Sequence, residues 1–237
     1  MPAFSNSSAS SLLQPGLRPL RSVWLAPGRT VARIAHENPA YALHTLAVLS
    51  AFAPRAFELV PNSLSQTPST FQLSLIPHPL DHLLLLYLGA YLLCALGAMF
   101  GGKAGPSATR VAIAWSFVPG IVLVAVNLIA ALVSAALGLQ VELEYYGFDD
   151  ETHALAVVSV LVPIELALMI WSQVILVRGL AAVNDFSNLK ALATALLGWL
   201  LIHALTLLGW ISLLRNALPD LAHAGGIFQG ALNAFQR

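Results

Sequence analysis

The run LDHLLLLYLGAYLLCALGAMF, residues 80–100, decides the fold class. A hydrocarbon core about 30 Å thick takes roughly 20 apolar residues of α-helix to cross, and this run supplies them. A lipid-exposed backbone must satisfy its own hydrogen bonds, which a helix does and an open strand does not. Three further stretches read the same way, at 111–138, 155–178 and 190–214. Composition agrees. Hydrophobic residues make up 58% of the chain and charged residues only 9%, against about 25% charged in a soluble domain. Too few polar residues remain to cover a globule of this size, so lipid covers part of it. The formal net charge is zero, which leaves no basic surface for nucleic acid. Cys94 is the single cysteine. It excludes a disulfide framework or a multi-cysteine metal site, and reads as a small apolar filler within its helix.

A fifth stretch at 40–60 begins well, with AYALHTLAVLSAFA, but then meets Pro54, Arg55 and Glu58. Arg55 and Glu58 share one helix face and can pair or snorkel at an interface. The distribution of basic residues decides whether this stretch crosses. If it crosses with the N-terminus inside, Arg18, Arg21, Arg29, Arg33, Lys103, Arg110, Arg178 and Lys190 lie inside, and Arg55, Arg215 and Arg237 outside. If it does not, the first four arginines join Arg55, Arg215 and Arg237 against Lys103, Arg110, Arg178 and Lys190, and the bias nearly vanishes. The expectation is therefore an all-α, polytopic membrane bundle of five transmembrane helices with a cytoplasmic N-terminus.

Around the spans, residues 1–22 are expected to form a disordered tail, since 1–16 have neither the basic start nor the apolar core of a signal peptide. The membrane domain then covers 23–214, and a short amphipathic tail 215–237 carries Ile227, Phe228, Ala231, Leu232 and Phe235 at helical spacing. WLAPGRTVARIAHENP, Trp24 to Pro39, predicts an N-terminal interfacial helix. Pro27 suits its first turn, Val31, Ile34 and Ala35 fall on one face, and Asn38-Pro39 ends it. Trp24 and the arginines suit a headgroup layer. The outer loops 61–79 and 139–154 contain FQLSLI and VELEY, alternating runs that can pair as short strands. No sequence repeat relates the two halves, so an inverted-repeat transporter is not indicated.

Candidate chemistry is sparse. Gly97 to Ala104, GAMFGGKA, nearly matches the phosphate-binding pattern G-x-x-x-x-G-K-[ST]. A true P-loop follows a buried strand and needs Ser or Thr to hold magnesium. Here the segment ends a membrane helix and Ala104 cannot ligate, so it reads as a flexible inner turn with Lys103 anchored among headgroups. His78, Asp81, His82 and His153 fall near the outer surface, but Pro79 separates the histidine pair and no HExxH pattern occurs. No metal site and no cofactor is expected from them. Glu165 and His203 each lie about ten residues in from the outer ends of their spans, roughly 15 Å deep at about 1.5 Å per residue. Asn127 lies somewhat nearer the outer face. Ionisable groups at such depth are costly, and either fix helix packing by hydrogen-bonding each other or line a path for a proton, ion or polar headgroup. No nucleophile elbow and no paired catalytic carboxylates appear, so no enzyme is expected.

Three segments carry a family resemblance: Trp24 to Pro39; the turn GGKAG (Gly101 to Gly105) with RVAIAWSFVPGI, including Trp115 and Pro119; and WSQVILVRGLAAVNDFSNLKAL, Trp171 to Leu192. Their order and placement resemble the Ypt-interacting-protein (YIP) family, in its bacterial branch, over roughly Trp24 to Leu214. The resemblance implies five spans, a cytoplasmic N-terminus and a multi-pass protein of the bacterial inner membrane. Eukaryotic relatives act in vesicle traffic through prenylated GTPases; the Asp-Leu-Tyr-Gly-Pro type segment of those relatives is missing here. The motifs place Gly101, Gly102, Lys103, Trp115, Pro119, Trp171, Asn184 and Lys190 on or near the cytoplasmic face. The expected role is non-enzymatic: organising membrane, or binding a lipid, a protein partner or a second copy through the loops Gly101–Arg110 and Arg178–Lys190. The alternative is a small transporter, channel or lipid-moving protein using Glu165, His203 and Asn127.

Overall fold

The computed structural model describes residues 18–53, 77–136 and 151–208, and everything regular among them is helical. The chain divides into two units, Met1–Ala195 and Leu196–Arg237. The helices are α1 (Arg18–Leu25), α2 (Pro27–Glu37) and α3 (Leu43–Ser50), followed by α4, which runs Pro77–Leu84, Leu85–Gly89 and Ala90–Met99. Then come α5 (Pro106–Ser116), α6 (Val118–Ala136) and α7 (Glu151–Asn184), and finally α8 (Asn188–Leu208).

Four stretches are long and apolar enough to cross a membrane: Pro79–Met99, Pro106–Val133, Ser159–Asn184 and Asn188–Leu208. They correspond to the four strong runs of the sequence, with shifted ends. The expected span at 40–60 begins as α3, whose Leu43, Leu46, Ala47 and Ser50 are buried; residues 54–60, with Arg55 and Glu58, lie outside the described residues, as do FQLSLI, VELEY and the tail from 209 onward. Among the described residues there is no strand.

The N-terminal helices pack onto protein. α2 starts with Pro27 in its first turn and ends at Asn38, as its sequence requires. Its apolar face, Thr30, Val31 and Ile34, is buried, packed on α5 and α7. The close approach has a specific cause. A Cβ on Gly179 would stand 3.2 Å from both Ala112 Cβ and Val31 Cγ1, so α2, α5 and α7 meet at one glycine. A Cβ on Gly28 would stand 3.0 Å from the Arg178 carbonyl. Small residues that let backbones approach are the usual means of packing helices where lipid removes the hydrophobic drive.

α5 and α6 together form the span read as 111–138, but they are not one continuous helix. Pro119 lacks the amide that would bond to the Trp115 carbonyl, and the ladder breaks at Phe117. Phe117 N–H donates instead to the Ala114 carbonyl at 3.1 Å, and Ser172 Oγ of α7 donates to the Ser116 carbonyl at 2.6 Å. The π-helical stretch Leu85–Gly89 in α4 is a second irregularity inside an apolar run.

Candidate functional site

Three places in the first unit gather polar groups. The first is a corner where α4, α5, α7 and α8 end or begin. α4 ends in a Schellman arrangement: Gly101 takes φ +84°, Gly102 N–H donates to the Gly97 carbonyl at 2.8 Å, and Gly101 N–H to that of Ala98 at 3.0 Å. α7 ends in a related way. Asp185 adopts φ 57°, and Phe186 N–H reaches the Ala181 carbonyl at 3.2 Å. Aspartate tolerates the left-handed conformation better than most residues. Ser187 then caps α8, its Oγ accepting from Lys190 N–H at 3.4 Å. Gly105 and Pro106 open α5 in the same economical manner.

Asn184 ties these ends together. It is 1% exposed. Its Nδ2 donates to the Leu180 carbonyl at 3.0 Å, while its Oδ1 accepts from Ala104 N–H at 3.2 Å. The Ala104 carbonyl in turn accepts from the Cys94 thiol at 3.2 Å, so both polar groups of that residue are held. A side chain on Gly102 would collide with Asn184 Oδ1. Lys103 Nζ pairs with Asp185 at 3.2 Å, and Lys190 Nζ donates to the Phe100 carbonyl at 3.0 Å. The expectation of a flexible turn around Lys103 is thus corrected: the turn is bonded on three sides. Cys94 is more than a filler, because its thiol is one of those bonds. The expected loop Arg178–Lys190 shrinks to a three-residue connection, Asp185 to Ser187, because α7 runs on to Asn184.

Gly101, Gly102, Lys103, Asn184 and Lys190 are therefore brought together. Trp115 and Pro119 are placed apart from them, fully buried at the α5–α6 junction, with Trp115 stacked on Tyr41 at 6.1 Å. Trp171 lies between three and four turns of α7 before the corner and stacks on Trp24 of α1, ring centroids 6.4 Å apart and planes 4° from parallel. This pair walls the second place, a notch of about 530 Å³ between the α1–α2 corner and α7 that Arg29 and Arg178 also line. The sequence supplied both tryptophans and both arginines, but nothing in it showed that residues so far apart in the chain converge.

The third place is a cavity of about 430 Å³ bordered by α3, α4, the end of α5, α6 and α7. Glu165, His82, Ser50, Ser116 and Ser172 contribute its polar lining. The His82 ring lies 5.1 Å from that of Phe117, which also lines the cavity. Asn127 sits beside it: Nδ2 donates to the Ala53 carbonyl at 3.0 Å, and Ala53 is part of the lining. Asn127 is 4% exposed, and its Oδ1 has no partner among the described residues. His203 belongs to the other unit. There its Nδ1 lies 2.8 Å from the Trp199 carbonyl, with the two rings 4.0 Å apart. His78 and His153 fall outside the residues whose side chains are described. Among those that are, no three His, Cys, Asp or Glu side chains come together.

Helices this apolar, with their leucines and isoleucines turned outward, define a multi-pass integral membrane protein. Residues 21–211 match the family model described as the Yip1 domain, and the chain belongs to that family. No curated protein and no solved structure matches it.

Proposed function

We propose that this is a non-enzymatic membrane protein of the bacterial inner membrane, with five spans and a cytoplasmic N-terminus. It presents a preformed corner at the cytoplasmic face to a lipid or protein partner, a second copy of the chain included. One observation carries this reading: Asn184 fixes the Gly101–Lys103 turn to the α7–α8 connection, so two loops distant in sequence form one surface. A rigid surface binds with less ordering cost than two free loops. The charge distribution supports the orientation, since Lys103, Arg110, Arg178 and Lys190 all fall near this end of the helices. The experiment is quantitative capture in mild detergent, comparing wild type with Asn184→Ala. The reading expects a partner or lipid recovered reproducibly by wild type and depleted in the variant. Reproducible recovery of nothing sinks it.

The Glu165 cavity favours a second reading, a small transporter, channel or lipid-moving protein. A carboxylate lining a polar-flanked cavity inside a span is the feature such a role requires, with Asn127 at the cavity's edge and His203 on the last span as further polar groups. Its test is solute and proton flux in liposomes. Glu165→Gln and His203→Ala should each abolish the flux while the protein still folds. A flux of zero in the wild type removes this reading.

A further inference from the structure

We infer that the notch between the α1–α2 corner and α7 is a binding site for the phosphate of an anionic phospholipid; this rests on the reading of that face as a lipid- or partner-binding surface.

Arg29 from α2 and Arg178 from α7 both line the notch. The two come from separate helices, which cross closely here: a Cβ on Gly28 would stand 3.0 Å from the Arg178 carbonyl. Among the described residues neither arginine has an ion-pair partner, in contrast to Lys103, which is engaged by Asp185. Two unneutralised guanidiniums on one concave surface favour an anion, and guanidinium suits phosphate by its planar pair of donors. A third contribution comes from the backbone. The first turn of α2 opens into the notch at Pro27, Gly28 and Arg29, and Ala26 before it provides no side-chain cap. The amides of Gly28 and Arg29 are thus the uncapped donors of a helix start, carrying its positive end.

The remaining lining selects a lipid over a free phosphate. Trp24 and Trp171, stacked and amphipathic, form the wall below the arginines, which is the composition of a headgroup layer. Trp171, Val174 and Arg178 share one face of α7. That face continues toward the middle of the span through Ile170, which is 55% exposed. An acyl chain can therefore run along α7 from the point where its phosphate is held. The volume of about 530 Å³ accommodates a glycerophosphate headgroup.

The test uses the full chain purified in a zwitterionic detergent. Native mass spectrometry counts retained phosphatidylglycerol or phosphatidylcholine as each is titrated, with inorganic phosphate as a competitor. Phosphatidylglycerol should bind at least roughly tenfold more tightly, and Arg29→Gln or Arg178→Gln should each weaken it by about tenfold, the effect of losing one charge-assisted contact. Arg33→Gln, on α2 but outside the notch, should leave binding unchanged. Arg178→Lys keeps the charge but not the paired donors, and should bind phosphatidylglycerol more tightly than Arg178→Gln but less tightly than wild type. Equal retention of the two lipids, or an equal loss with Arg33→Gln, overturns the site in favour of nonspecific lipid contact or diffuse charge. Displacement by millimolar inorganic phosphate overturns the assignment to lipid. If phosphatidylglycerol preference is absent while capture still depends on Asn184, the notch proposal fails and the wider reading stands.

Discussion

α5 and the middle of α7 are alike in sequence and opposite in surroundings. The spans that contain them have mean hydropathies of 2.4 and 2.2, too close to distinguish them. Yet six consecutive residues of α5, Val111 to Ser116, are buried, which means that protein covers every face of that helix. In α7 only 6% of the most apolar window is buried, and Val162, Ile164, Leu166, Met169 and Ile170 all point outward. Hydropathy measures how well a helix tolerates lipid, and a helix buried among helices tolerates it equally well. What separates the two is residue size. α5 offers Ala112 and Ala114, and Gly179 near the end of α7 receives it, so backbones approach closely there.

This contrast is most severely tested at Trp115. Trp115→Ala empties a fully buried site against Tyr41 and should destabilise the protein by about 4 kcal/mol, read from detergent unfolding. A loss near zero would mean that α5 is not central. A smaller effect is expected at the corner. Gly102→Ala drives a methyl group against Asn184 and to 2.9 Å from the Gly97 carbonyl, at a cost of roughly 2 kcal/mol. The same substitution in an Asn184→Ala background should cost less, because the collision with Asn184 is gone and only the contact with the Gly97 carbonyl remains. Equal costs in the two backgrounds would show that Asn184 does not hold the turn. The smallest effect belongs to the lipid-facing side of α7. Ile170→Ala should change stability by no more than about 0.5 kcal/mol, whereas Ile175→Ala, fully buried on the same helix, should cost about 3 kcal/mol. Similar values for the pair would remove the distinction between the two faces.

The irregular elements show how far local sequence carries. The stop of α4 was legible in the turn GGKAG, but the start of α5 was not: the loop expected over Gly101–Arg110 is shorter, because Gly105-Pro106 opens the helix. Nor was the end of α7, because Asp185 stands where a glycine would have announced the stop, and the helix was expected to finish near Arg178. The break at Phe117 had its signal in Pro119. That signal was outweighed by the apolar length around it, and the Ser172 hydroxyl that bonds the Ser116 carbonyl beside the break is contributed by another helix. Glu165 stood out as a costly group at membrane depth, but its neighbours His82, Ser50, Ser116 and Ser172 come from four helices and carry no common pattern.

The sequence by itself determined that the chain crosses a membrane as helices, where four of those helices lie, and how α2 begins and ends. Each of these follows from composition over a window or from a residue acting on its own backbone. Tertiary structure decided which apolar faces meet protein and which meet lipid, that Asn184 holds a turn some 80 residues away in the chain, and that Arg29 and Arg178 share a notch. Helical phase and the crossing of small residues set these, and both depend on which helices are neighbours, a quantity that no local window of sequence contains.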